Sequence, residues 1–238
     1  LYEDAEKYQI IFSNNYDFTN IILNDSNVIT NYRNIFDLNV NPLTDYYWHV
    51  RGINESGPGE WSEIWKFTTA EFFVININLK SGWNLISSNL LPLNDSLENI
   101  FKNISDKVLI VKNASGSVYI PQYQINTIGK WKPKQAYYVY STQNINLQFL
   151  GYRINPNDYI YNLTNGWNTI SYIRNTDLNI VNALKSLTDN NKLVIAKDGN
   201  GNVYIPEFGI NTIGNMQIGK GYTLFLNSNF NFNYPEND

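Results

Sequence analysis

A block of sequence that occurs twice, 84 to 85 residues apart, restricts what this chain can fold into more than any other feature. Ile77-Asn-Leu-Lys-Ser-Gly-Trp-Asn-Leu-Ile-Ser-Ser88 aligns with Tyr161-Asn-Leu-Thr-Asn-Gly-Trp-Asn-Thr-Ile-Ser-Tyr172 at 7 of 12 positions, and residues 108–141 align with 193–226 at 13 of 34. The second alignment includes Val118-Tyr-Ile-Pro121 against Val203-Tyr-Ile-Pro206 and Ile125-Asn-Thr-Ile-Gly129 against Ile210-Asn-Thr-Ile-Gly214. The chain carries 40 Asn in 238 residues, yet biased composition does not produce matches of this length and order. Everything after about residue 73 is therefore a duplicated domain.

Each copy carries the same pattern. An alternating stretch (Ile75, Ile77, Leu79) leads through a Gly-Trp-Asn turn into a short strand at 85–87. A helix follows: Asp95 and Glu98 form a capping-box pattern ahead of Leu97, Ile100, Phe101 and Ile104, and in the second copy Thr176 precedes Ile180, Ala183, Leu184 and Leu187. Next come an apolar strand (108–111; 193–196), a turn of Gly, Asn and Ser, and a return strand stopped by Pro121 or Pro206. The last strand alternates Ile145, Leu147, Phe149 and Phe230, Phe232, Tyr234, so one face is buried and one wet. The expected unit is a small antiparallel β domain with one short helix, as copy 1 over 73–152 and copy 2 over 158–238.

Composition removes several chemistries. A net charge of -4 argues against a nucleic-acid-binding face, and with no Cys and a single His neither a disulfide framework nor a soft-ligand zinc site can be built. No apolar run is long enough to span a membrane, and no cofactor is implied. The acidic residues are scattered over turns and termini rather than paired, which predicts a chain that is not an enzyme.

The first 70 residues differ. Tyr8, Ile10 and Phe12 alternate, as do Tyr46, Trp48 and Val50, and no helical period occurs. Val40-Asn-Pro42-Leu-Thr44-Asp-Tyr46-Tyr-Trp48-His-Val50-Arg-Gly-Ile-Asn54, followed by Gly57-Pro-Gly-Glu-Trp61-Ser and Phe67-Thr-Thr69, resembles the second half of a fibronectin type III domain. The resemblance implies a β-sandwich over 1–70 in which Tyr46 fills the corner before the sixth strand. The family's first two strands have no counterpart, so the sandwich is expected to be incomplete and to be completed in cis or by strand donation from another chain. The duplicated unit resembles Gly-Trp-Asn-x-Ile-Ser repeats of secreted and surface-attached microbial proteins, which implies an extracellular, cell-surface or secreted location.

Candidate sites are few. His49 lies between Trp48 and Val50, where alternation points it outward with no catalytic partner. Asp198-Gly-Asn-Gly-Asn202 has the oxygen spacing of a calcium-loop opening but lacks the closing acid, so it reads as a hairpin turn and no metal site is assigned. Gly219-Lys-Gly-Tyr222 lacks phosphate-loop spacing and reads as a turn, as do the Asn-Thr-Ile-Gly repeats. Trp83 and Trp167 recur in register and are expected in the core, whereas Trp131 is replaced by Met216 in the second copy and is the candidate for stacking on a glycan. Six sequons, at Asn24, Asn54, Asn94, Asn103, Asn113 and Asn162, are candidate glycan attachment sites. The reading is a rod of three β modules, with short linkers near 70–73 and 153–158: a non-catalytic extracellular structural or interaction region of a larger cell-surface protein, such as a filament or surface-array subunit or an adhesin stalk. Its partners would be copies of itself or other surface proteins, or glycans. The alternative is a pair of glycan-binding accessory modules of a secreted polysaccharide-degrading enzyme.

Overall fold

The computed structural model describes residues 5–33, 38 and 40–237. The protein is mainly β, built of several antiparallel sheets, and divides into two compact units, residues 1–72 and 73–238.

In the first unit, strands β1 (Lys7–Ser13), β2 (Ile21–Val28), β3 (Asp45–Asn54) and the short β4 (Gly57–Pro58) form a sheet in the order β2-β1-β3-β4, with β5 (Trp65–Thr68) also paired to β3. The period of two puts Tyr8, Ile10 and Phe12 of β1 on one face, opposite Gly52, Val50 and Trp48 of β3. Phe12 stacks on Tyr46 with centroids 5.0 Å apart and on Phe67 at 5.9 Å. The Tyr46 hydroxyl accepts the Asn41 N–H at 2.8 Å, which anchors the corner entering β3. This apolar face lines a groove of about 660 Å³, and among the described residues no second sheet lies over it.

In the second unit the two sequence copies have the same topology. Copy 1 has β6 (Phe73–Leu79), β7 (Gly82–Ile86), β8 (Leu90–Pro92), α1 (Leu97–Phe101), β9 (Val108–Lys112), β10 (Val118–Ile120), β11 (Ile125–Asn126), β12 (Tyr137–Ser141) and β13 (Ile145–Arg153). Copy 2 has β14 (Tyr161–Leu163), β15 (Gly166–Ser171), β16 (Leu178–Asn179), α2 (Ile180–Ala183), α3 (Lys185–Asp189), β17 (Leu193–Asp198), β18 (Val203–Ile205), β19 (Ile210–Asn211), β20 (Asn215–Met216), β21 (Gly221–Leu226) and β22 (Phe230–Phe232). The main sheets run β11-β10-β9-β12-β7 and β19-β18-β17-β21-β15, the same order element for element. Each copy closes its own core, the first around Phe101, Tyr137, Val139 and Phe149, the second around Leu187, Tyr222, Leu224 and Phe232.

Both helix caps differ from the expected ones. Ser96, not Asp95, caps α1 by accepting the Asn99 N–H at 3.1 Å. Asp95 is drawn instead to Lys130 at 3.1 Å, and its carbonyl takes the Trp131 N–H at 2.7 Å. In copy 2, Asn179 rather than Thr176 caps α2, through the Val181 N–H. In both cases the capping side chain immediately precedes the first helical residue, where an oxygen reaches the orphan N–H groups.

The copies are not spaced along a rod. Residues 73–238 form one compact unit, in which the two copies meet along a seam. Ser87 of copy 1 donates its hydroxyl to the Lys220 carbonyl at 2.5 Å and its N–H to Gly219 at 3.0 Å. The equivalent Ser171 of copy 2 donates to the Pro133 carbonyl of copy 1 at 2.5 Å. The Ser87 hydroxyl also accepts the Tyr172 N–H at 3.0 Å. At the centre, Gly221 faces its equivalent Ala136: a Cβ placed on Gly221 would lie 2.4 Å from that of Ala136 and 2.9 Å from Leu85 Cγ. The stretch expected as a spacer is part of this construction. Gly151–Arg153 pair with β8, Ile154 is buried and bonded to the Asn89 carbonyl, and Asn155 caps a 3-10 turn over Pro156–Asp158.

The seam has room for one methyl group where two would meet. Gly221→Ala is expected to lower the stability of the second unit by about 1–3 kcal/mol, read as a shifted urea midpoint. Adding Ala136→Gly, which moves the methyl to the other side, is expected to recover part of that loss.

Candidate functional site

The Gly-Trp-Asn motif explains its own first and last residues. Gly82 and Gly166 adopt φ of 95° and 93°, a region that favours glycine. Asn84 accepts the Lys80 N–H at 2.8 Å and donates to the Lys80 and Gly82 carbonyls, and Asn168 repeats this with Thr164 and Gly166. The Trp between them is not a core residue, contrary to expectation. Trp83 is 48% exposed and Trp167 54%. Each projects from the outer face of its sheet, edge-on to Tyr140 or Phe225, with Lys112 or Lys197 placing its ammonium 4.4 or 4.9 Å from the indole. Recurrence suggests burial, but alternation turns Asn84 and Ile86 toward the core of copy 1, and Leu85, on the same face as Trp83, is buried because Gly199 and Gly221 of the other copy lie against it.

Trp131 is the converse, and its assignment as a glycan platform is corrected. It is 3% exposed, packed 4.3 Å from Tyr137 and 5.0 Å from Phe149, so its ring has no face left for a sugar. Met216, its equivalent, is fully buried in copy 2, which makes the exchange a change of core filling. The Trp131 Nε1 is buried without a partner among the described residues, a cost that Met216 avoids.

The remaining candidates resolve into turn and stacking chemistry. Asp198 accepts the N–H groups of Asn200 and Asn202 at 2.9 and 2.8 Å, closing the β17–β18 hairpin, as Asn113 does for Ser115 and Ser117 in copy 1. Asn126 and Asn211 accept the N–H of Gly129 and Gly214, and Gly219 serves the seam. His49 does not point freely outward: it is sandwiched between Phe18 at 4.3 Å and Trp61 at 4.0 Å, and Arg51 lies 4.3 Å over the other side of Trp61. Burial first, and the Arg51 charge second, push its pKa below the usual histidine value. Of the sequon residues, Asn24, Asn54, Asn103 and Asn162 are exposed, while Asn94 and Asn113 are half-buried and hold their own turns through their side-chain oxygens.

The buried phenols are structural. Tyr137 accepts the Lys132 N–H at 2.8 Å and its pKa is pushed up to about 12 by burial; Tyr222 accepts the Gln217 N–H in the same way and is pushed higher still. Tyr161 and Tyr234 converge on Ser171 at 2.7 and 2.9 Å, again with burial raising their pKa values.

One cleft gathers polar groups without using them all up in this way. It holds about 190 Å³ within the second unit, between the Trp83 turn of copy 1 and the β17–β18 hairpin and the approach to β21 in copy 2. Trp83, Lys80, Lys220, Asn200, Asn215 and Gln217 line it. Gly199 allows the close approach, since a Cβ there would lie 2.9 Å from Leu85 Cβ. The motif's recurrence pointed to Trp83, but nothing in the sequence pointed to the cleft, which exists only because the copies pair. Comparison of the chain with protein-family models, with curated proteins and with solved structures finds no match in any of the three.

Two outcomes test these placements. Trp131→Ala is expected to cost about 3–5 kcal/mol in stability, with Trp131→Met clearly milder and Trp83→Ala within about 1 kcal/mol of the parent, by denaturant titration. For His49 the folded pKa is depressed, so its contribution to stability is present above about pH 6.5 and is lost as pH falls through the folded value. An NMR titration should place its midpoint below 6.5, and Phe18→Ala should move that midpoint upward.

Proposed function

We propose that this chain is a non-catalytic, extracellular structural or interaction region of a larger cell-surface protein. The observation that carries the reading is the destination of its polar side chains. Ser87 and Ser171, fully buried in the second unit, bond the two copies to each other. Asp198 closes a hairpin, and the phenols of Tyr137 and Tyr222 cap turns. A fused, pseudo-symmetric block held in this manner suits transmission of position and load more than turnover. A fibronectin-type ancestry for the first unit, export, and glycosylation at the exposed sequon residues belong to the same proposal.

The first unit would supply the contact. Its groove is lined by Ile10, Phe12, Trp48, Val50, Trp65 and Phe67, an apolar face of a kind that a soluble chain keeps covered. The same face of another copy offers a surface of matching apolar alternation, and an isologous pairing of two such faces would give the two-layer packing of a sandwich. Sedimentation of the full chain should show mass rising with concentration, and micrographs should show ordered oligomers or polymers. Val50→Lys, checked for an unchanged thermal transition of the second unit, should abolish the association. A chain that stays monomeric at every concentration would overturn the reading.

A further inference from the structure

We infer that the cleft beside Trp83 is a binding site for an acidic sugar, a pyranose ring that carries a carboxylate. Four observations meet there. The first is an indole that the fold does not need for its core, held rigidly: the turn on which it stands is fixed by Gly82 and by the four side-chain hydrogen bonds of Asn84, and Tyr140 meets its ring at 85°. A flat, half-exposed aromatic ring with fixed orientation is what the C–H face of a pyranose stacks on, because that face is apolar while its hydroxyls point outward in the ring plane.

The second is the character of the opposite wall. Asn200, Asn215 and Gln217 are exposed, and among the described residues no hydrogen bond engages their side chains. An amide offers both a donor and an acceptor, and so do the vicinal hydroxyls of a sugar. The third is charge. Lys80 and Lys220 line the cleft and Lys112 sits over the indole, whereas the one carboxylate on the lining, Asp198, is already engaged by the Asn200 and Asn202 N–H groups and by the Asn202 amide. Two lysines against one carboxylate leave the lining net positive in a chain whose overall charge is -4, which favours a carboxylate on the ligand over a neutral ring. The fourth is size. A volume of about 190 Å³ takes one small polar ring with its substituents reaching solvent, not a large apolar ligand.

The duplication supplies an internal control. Trp167 repeats the ring, but Thr164 and Gln135 occupy the positions equivalent to Lys80 and Lys220. The second copy thus keeps the platform and lacks the two cations, and it is expected not to bind the acidic ring.

The test is calorimetric titration of the full chain with short oligosaccharides of galacturonate, glucuronate and mannuronate, alongside their neutral counterparts. The expected result is saturable binding of at least one acidic series that weakens with added sodium chloride. Trp83→Ala should weaken it at least about tenfold, Lys220→Ala should reduce the acidic-over-neutral preference about threefold to tenfold, and Trp167→Ala should leave it unchanged. Thermal melting that matches the parent for Trp83→Ala separates loss of a platform from loss of fold. The inference is overturned if no acidic series binds, if neutral sugars bind equally well, or if Trp167→Ala weakens binding as much as Trp83→Ala. None of those results bears on self-association, which the sedimentation experiment reads independently.

Discussion

The contact at which Gly221 meets Ala136 sets the distance between the two halves of the second unit. A second methyl at that point would bring two carbons to 2.4 Å, and the same position lies 2.9 Å from Leu85 Cγ and 3.2 Å from the Ile86 carbonyl, so the start of β21 lies against β7 and the residue before β12 with no space for a side chain. That approach is what brings the Ser87 hydroxyl to the Lys220 carbonyl and the Ser171 hydroxyl to Pro133, bonds of 2.5 Å that two separated modules could not make. It also leaves a gap at the rim, where the Trp83 turn faces the Asp198 hairpin and Gly199 passes over Leu85. Seam and cleft therefore follow from one steric fact.

Duplication explains why the seam is nearly but not fully symmetric. At the seam the equivalent residues Gly221 and Ala136 face each other, and a residue pair there must be jointly small. Alanine in one copy and glycine in the other meets that condition with a single methyl. Away from the seam the copies are free to diverge, and they do so at opposite ends of the exposure scale. Trp131 and Met216 differ because each fills its own core, while Lys80 and Thr164 differ at the surface without consequence for the fold. Retention in both copies is thus ambiguous as a signal: Gly82 and Gly166 are kept for backbone geometry, while Trp83 and Trp167 are kept although they lie outside the core.

Much of the architecture was legible in the sequence for local reasons. Alternation of apolar residues located β6, β13 and β22 of the copies and β1 and β3 of the first unit, Pro121 and Pro206 ended the strands they follow, and the hairpin at Asp198 was recognisable as a turn, its oxygens accepting N–H groups two and four residues on. What was not legible is everything that depends on two distant segments meeting. Ser87 and Ser171 look like ordinary strand-end serines, and Gly221 looks like a turn residue, until the copies are placed together. The exposure of Trp83 and burial of Trp131 were both misread from recurrence, since a repeat records that a residue was inherited twice and not which side of the sheet it occupies. The caps failed for a subtler reason, in that Asp95 and Thr176 have the right chemistry one and three residues too early.

The aromatic stack in the first unit obeys the same logic at a smaller scale. His49 is the sole histidine of the chain; it is half-buried between Phe18 and Trp61, and its Nε2 is buried without a partner among the described residues. Stacking of three planar groups, continued by the Arg51 guanidinium on Trp61, stiffens the face of the sheet opposite the groove. A sheet stiffened on one side and apolar on the other is suited to present that apolar side as a fixed surface. The histidine's depressed pKa is then a by-product of rigidity, and its pH dependence is a readout of whether the stack is intact.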